Sequence, residues 1–154
     1  MPGYGIETSI DGLVSWDEAL RRLHVSRNFW LATIHPDGRP HVMPVWALWL
    51  DDALWFSSSL QSRKIRNLRL NPRCTLTNED GAHPIVVDGV AEIVTDRDRI
   101  AEFLAATNVK YEVDYSIDFL DPAVNATVRV APDWAFALDE EHFTGSPTRW
   151  RFDP

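Results

Sequence analysis

Ser57, Ser58 and Ser62, with Arg63 and Lys64 directly after them, gather three hydroxyls and two cations where an apolar run hands over to a polar, helix-forming one. That combination suits a bound phosphate: hydroxyl donors, positive charge, and the positive end of a helix dipole if Ser62 is the N-cap and Arg63 and Lys64 form the first turn. The concentration of charge is local. Residues 62–73 carry five of the fifteen Lys and Arg (Arg63, Lys64, Arg66, Arg69 and Arg73), whereas the 154-residue chain as a whole has a formal charge of -8. Helical spacing turns Ile65 and Leu68 inward, places Lys64 and Asn67 on a neighbouring face that points along a ligand, and sets Arg66, Arg69 and Arg73 on another stripe. Those three arginines read individually as solvated cations paired with nearby acids, and the five residues first named as an anion clamp.

Other reactive side chains make weaker constellations. His35 and His41 flank a turn near Asp37, but two histidines without a third clear ligand fall short of a metal centre. His24, His83 and His142 have no partner spacing and read as surface or locally bonded histidines, one of which is available as a proton donor to substrate. Cys74, alone in the chain, reads as a small buried hydrophobe rather than a nucleophile. Asp114, Asp118 and Asp121 read as a solvated acidic loop.

The elements that must position the clamp follow from pattern. Ser15 and Glu18 have capping-box spacing, with Glu18 reaching back to the N-cap, which predicts a helix over Trp16–Val25. Apolar, β-branched runs at residues 28–35 and 41–50, separated by Pro36-Asp37-Gly38-Arg39, predict a hairpin; Asp51-Asp52 makes a second tight turn into a strand at 53–58. The run 41–50 is apolar on both faces, and Pro44 within it marks an edge, a bulge or a place where something else approaches the backbone. A helix at 62–70 is stopped by Asn71-Pro72. Strands at 73–78 and 85–95, a helix from Asp96 to about 107, loops with a short helix over 108–124, a hairpin of 127–131 with 134–138 around Pro132-Asp133, and a terminal strand at 148–152 complete the expectation. Many short strands in sequential pairs with helices inserted predict one mainly β, α+β domain spanning 1–154, an antiparallel barrel with its core at about 16–138 and a C-terminal tail at 139–154. A doubly wound dinucleotide fold is disfavoured, because no βαβ alternation with a Gly-rich first turn occurs.

Composition narrows the partners. A pI near 5.0 disfavours a duplex nucleic acid surface. Residues 1–12 lack the charged and apolar regions of a signal peptide and no apolar run approaches a membrane span, so the expectation is a cytoplasmic protein.

The order of these motifs carries a resemblance. Hairpin, strand, Phe56-Ser57-Ser58, Ser62-Arg63-Lys64, Asn67-Leu68 and Asn71-Pro72-Arg73 resemble the flavin-binding split-barrel superfamily that includes the pyridoxamine 5'-phosphate oxidases. Trp30-Leu31-Ala32-Thr33, Asp37-Gly38-Arg39-Pro40 and Pro44-Val45-Trp46 are similar to its deazaflavin branch, the coenzyme F420-dependent oxidoreductases common in actinobacteria. The resemblance implies a homodimer of six-stranded split barrels with the cofactor at the interface. It implies that Ser57, Ser58, Ser62, Arg63 and Lys64 hold the cofactor phosphate with Asn67 in support, that Met43, Pro44, Val45 and Trp46 line the tricyclic ring, and that no catalytic triad is needed. Pyridoxamine phosphate oxidases place further basic residues on the second strand, where this chain has apolar residues around Val42 and Ala47, which favours F420 over FMN. The implied activity is hydride transfer from reduced F420 to an enone, quinone or tetrapyrrole, with Trp46, Trp49 or a partner's aromatic walling the substrate. An FMN-dependent enzyme and a non-catalytic flavin, haem or lipid binder are the alternatives.

Overall fold

A computed structural model of the chain describes Ile6 and residues 10–152. Most of the segment read above for a signal peptide, and the last two residues of the tail, lie outside the described residues. The first helix, α1 (Trp16–Val25), has Ser15 as its N-cap, whose hydroxyl accepts from Glu18 N. The reciprocal half of the capping box gives way to ion pairing: the Glu18 carboxylate binds Arg21 at 2.7 Å and Arg22 at 2.9 Å. Strands β1 (Phe29–Ile34) and β2 (Pro40–Val45) form the predicted hairpin, with Gly38 at φ +84°, a left-handed conformation that suits glycine. Strands β3 (Ala47–Leu50) and β4 (Ala53–Ser59) form the second, turned by Asp51 and Asp52, both at positive φ. After α2 (Arg63–Leu70) come β5 (Arg73–Asn78), β6 (Ile85–Val94), α3 (Arg97–Tyr111), a 3-10 turn over Ile117–Leu120, β7 (Asn125–Ala137) and β8 (Thr148–Arg151).

All pairings are antiparallel, in the order β2-β1-β5-β6-β7-β4-β3, with β8 added alongside β7. Strands β2 and β3 are opposite ends of this path, yet only Trp46 separates them in the chain. The sheet must therefore curl until its two ends meet, a half-barrel split at Trp46. Among the described residues there are eight strands where the resemblance implies six. The long run 41–50 is broken at Trp46 where the chain passes from one sheet end to the other, and β8 extends the outer rim. The predicted hairpin at Pro132-Asp133 does not form, because β7 runs straight through it and the two residues are absorbed as an irregularity opposite Asp88 and Gly89 of β6. Gly89 is required there: a Cβ would lie 2.3 Å from the Ala131 carbonyl oxygen.

Alternation survives the break at Trp46. Val45, Ala47 and Trp49 face the barrel interior with Phe29, Leu31, Leu54 and Phe56, and α1 plugs one mouth with Trp16 against Trp49. Leu48, Ala53 and Trp55 face outward, where Ile100, Phe103 and Leu104 of α3 and Leu120 of the 3-10 turn cover them. Helix α3 runs one turn further than predicted. No helix among the described residues is long and apolar enough to cross a membrane.

Candidate cofactor site

The clamp is assembled by the junction of β4 and α2. Ser62 caps α2, its hydroxyl accepting from Ile65 N at 3.3 Å. Ser58 donates to the same hydroxyl at 3.2 Å, and the Lys64 ammonium donates to Ser58 Oγ at 3.2 Å. The first turn of α2 contains no acidic residue, and neither Arg63 nor Lys64 makes an ion pair among the described residues. One ammonium, two hydroxyls and the positive end of a helix thus meet, with Arg63 in the same first turn and no ion-paired carboxylate among the described residues. Burial holds the Lys64 ammonium below its ordinary pKa. An anion at this point would relieve that penalty. Of the outlying arginines, Arg73 is bound to Asp133 at 3.0 Å, while Arg66 and Arg69 are exposed.

Strand alternation divides the serines. Ser58 follows Phe56 toward the interior, whereas Ser57 follows Trp55 to the outer face. There Ser57 joins Lys64 in a cavity of about 270 Å³ whose other walls include Pro44, Val45, Trp46 and Tyr111, closed by Phe103, Thr107 and Phe119. Half of the anticipated residues therefore line one space: Pro44, Val45, Trp46, Ser57 and Lys64. Ser58 and Ser62 connect to it through Lys64, Arg63 is the first residue of α2 next to Ser62, and Met43 lies on β2 opposite Leu31. Asn67 is fully buried and acts as a strut, its amide donating to Thr33 Oγ1 of β1 at 3.0 Å, which fixes α2 against the hairpin. Trp49 is directed into the barrel core and leaves the cavity wall to Trp46.

The residues that pattern reading missed come from α3 and the turn after it. Tyr111 stacks flat on Trp46, ring centroids 4.2 Å apart and planes 4° apart, with the Arg27 guanidinium 5.5 Å above the Trp46 ring. Its hydroxyl lies 2.8 Å from the Ala47 and Arg27 carbonyl oxygens, and burial pushes its pKa up to about 12, so it stays a donor. Lys110 adds a second donor to the Ala47 carbonyl at 2.8 Å and one to Leu23 at 3.2 Å, its pKa lowered to about 8 by burial. The last turn of α3 thus pins the chain where the barrel splits and sets the orientation of Trp46. Nothing in the spacing of residues 108–111 signals this, because their role is defined by a loop more than sixty residues away.

His35 and His41 do approach, ring centroids 5.4 Å apart, while the Asp37 carboxylate is taken by Arg39 at 2.9 Å. Cys74 is buried in the core, its thiol pushed up to about 12 by burial and by the nearby Asp88 charge.

A sheet curled into a split barrel, with a cluster of serines and Lys64 beside an aromatic cavity, has the architecture of the flavin-binding split-barrel class. Within it, residues 15–137 match the pyridoxamine 5'-phosphate oxidase family, and the chain belongs to that family. Solved structures agree. A conserved hypothetical protein of Mycobacterium tuberculosis, Rv2991, superposes with a TM-score of 0.73 at 28% identity, covering 87% of this chain and 90% of that one. A protein described as an F420 reductase superposes with a TM-score of 0.61, also at 28% identity, over 73% of this chain and 90% of its own. A NimC/NimA family protein of Clostridium acetobutylicum shares the fold at a TM-score of 0.70 and 19% identity, with coverage of 93% and 94%. No curated protein matches the sequence significantly.

Proposed function

We propose that this chain is a cytoplasmic, coenzyme F420-dependent oxidoreductase that acts on an unsaturated organic acceptor of the enone, quinone or tetrapyrrole class. The observation that carries this reading is Lys64: its ammonium has no carboxylate partner among the described residues, binds Ser58, and lines the same cavity as Pro44, Val45 and Trp46. One residue thereby links the phosphate end of a cofactor site to its ring end. The 28% identity with a protein described as an F420 reductase supports the choice of deazaflavin. When bound, the cofactor supplies the hydride. The chain supplies the rest. Ser57, Ser58, Ser62, Arg63 and Lys64 fix the phosphate, Asn67 holds α2 in place, and the backbone of Met43 to Trp46 presents an apolar wall. Trp46, braced by Tyr111, walls the space for the acceptor and excludes water.

The cofactor site is completed by a second copy of the chain. The outer face of β1 and β2 exposes Trp30, Ile34 and Val42 in one apolar patch beside the cavity, a surface that a monomer has no use for.

Titration of the purified protein with F420 should quench deazaflavin fluorescence, and reduced F420 should be reoxidised in the presence of the acceptor classes named. Lys64→Ala should weaken F420 binding by about 1–3 kcal/mol, the scale of a charged hydrogen bond, at unchanged melting temperature. Absence of quenching would sink the reading. The family match keeps FMN as the second reading, and FMN binding tighter than F420 in the same titration would select it.

A further inference from the structure

The rim of the clamp holds a residue whose chemistry the phosphate anchor does not yet use. His41 sits on β2 directly opposite Thr33 of β1. Its Nδ1 lies 3.3 Å from Thr33 Oγ1, and that same hydroxyl accepts from the buried Asn67 amide at 3.0 Å. With Asn67 donating to its oxygen, the Thr33 hydroxyl can give its own proton to His41 Nδ1 while the ring is neutral and can turn it away to accept from Nδ1 when the ring is protonated. The neutral ring is then the Nε2–H tautomer, with Nδ1 committed inward and Nε2 left as the outward donor. Asn67 thus couples α2, which carries the clamp, to the orientation of the imidazole.

The groups whose charge reaches His41 are mostly of one sign. Lys64 and Arg63 act on it from α2, and His35, just beyond β1, packs edge-on against its ring. In the intervening turn Asp37 and Arg39 are paired with one another. Partial burial, then His35, Lys64 and Arg63, hold the His41 imidazolium below its ordinary pKa. In the free protein the ring therefore has reason to stay neutral near pH 7, while an oxyanion among Arg63, Lys64 and the serines would reverse the local field and make protonation favourable.

We propose that His41 is a third, proton-switched cation of the anion site, so that binding of an oxyanion between Ser58, Ser62, Arg63 and Lys64 is coupled to protonation of its ring. The inference rests on the phosphate-anchor reading and adds a sign to it. If the bound state holds a proton on His41 that the free state lacks, affinity rises as pH falls through the histidine range and levels off on either side. The ligand class is a phosphate monoester or diester, with F420 and FMN both included. The switch belongs to the anchor and is indifferent to the ring.

The probe is sulfate, whose charge does not change between pH 5.5 and 8, added to the full-length protein at ionic strength matched with chloride. The His41 Cε1–H resonance, assigned by its loss in His41→Gln, is followed through a pH titration with and without saturating sulfate. The expected result is a rise of about one pKa unit on saturation, equivalent to about a tenfold gain in sulfate affinity from pH 8 to pH 5.5. That gain should vanish in His41→Gln. Sulfate that binds, and is weakened by Lys64→Ala, but leaves the His41 titration unmoved would overturn the coupling while the anchor stands. Sulfate binding that Lys64→Ala does not affect, or no binding at all, would overturn the anchor and the coupling together. Should His41→Gln misfold, the resonance is assigned in the wild-type protein by its NOE to the Thr33 side chain across the β1–β2 pair, so the titration still decides the outcome.

Discussion

The outer surface of the curled sheet has two halves that are alike in sequence and opposite in fate. On β3 and β4, Leu48 and Trp55 are 4% and 1% exposed, sealed by α3 and the 3-10 turn. On β1 and β2, Trp30 and Val42 are 46% and 51% exposed. Both halves consist of aromatic and aliphatic side chains at alternate positions, and the split at Trp46 lies between them. What differs is that, among the described residues, the segment 97–120 covers one half only. Apolar surface left in water forfeits about 25 cal/mol per Å², so an uncovered half of this composition is where a covering partner would contribute most. The cavity with Trp46, Ser57 and Lys64 lies at the boundary, part roofed by Tyr111, Phe103 and Phe119 and part open toward the uncovered half.

The difference can be broken most severely on the covered side. Trp55 stacks against Phe103 at 6.0 Å, donates its indole N–H to the Leu50 carbonyl at 2.9 Å and carries the Arg99 guanidinium 5.2 Å above its ring. Trp55→Ala removes all three and leaves a cavity beneath α3. It should cost about 3–5 kcal/mol in urea unfolding, the range for burying and then deleting a large aromatic.

A smaller effect is expected from the register shift in the β6–β7 pair, where a local bend would contribute to the curl. Gly89 faces Pro132 where the register of β6 and β7 slips, and a methyl group there would lie 2.3 Å from backbone. Gly89→Ala should destabilise by about 1–3 kcal/mol, the cost of forcing a strand apart to admit one carbon, again read by urea unfolding. A neutral result would mean that the irregularity at Asp133 can move and does not set the curl.

Position along the chain decided what could be read from the sequence. Local devices were plain: Ser15 and Ser62 as N-caps, Asn71-Pro72 as a stop, Asp37-Gly38 and Asp51-Asp52 as turns, and the cations that follow Ser62. Each depends on residues within about four positions. Features set by partners far away were misread. Pro132-Asp133 has the composition of a turn, yet Gly89, more than forty residues earlier, lets β7 pass straight through it. The run 41–50 reads as one strand because alternation continues across Trp46, and only the closure of the sheet shows that its halves belong to opposite ends. Tyr111 looked like part of a loop because its purpose is to grip the Ala47 carbonyl and the Trp46 ring. The clustering of Ser58, Ser62 and Lys64 was therefore legible and the roof of the adjoining cavity was not.

The gentlest substitution tests the uncovered half. Val42 pairs with Ala32 of β1, on the face that also carries Trp30, and no described residue buries it. Val42→Glu should change the folding stability of an isolated subunit by no more than about 0.5 kcal/mol, since an exposed site loses little when it becomes polar. The same charge placed opposite itself across a twofold contact would be desolvated twice, so self-association should be lost. Analytical ultracentrifugation is the measurement, with wild type expected to sediment as a dimer and Val42→Glu as a folded monomer. Retained F420 affinity in that monomer would show that one chain suffices for the site. Lost affinity, with Lys64 and its serines untouched, would mean that the second copy supplies part of the cavity wall. A wild-type protein that sediments as a monomer would instead require another occupant for the β1–β2 face, and the contrast between the two halves would then mark a docking surface for a different partner.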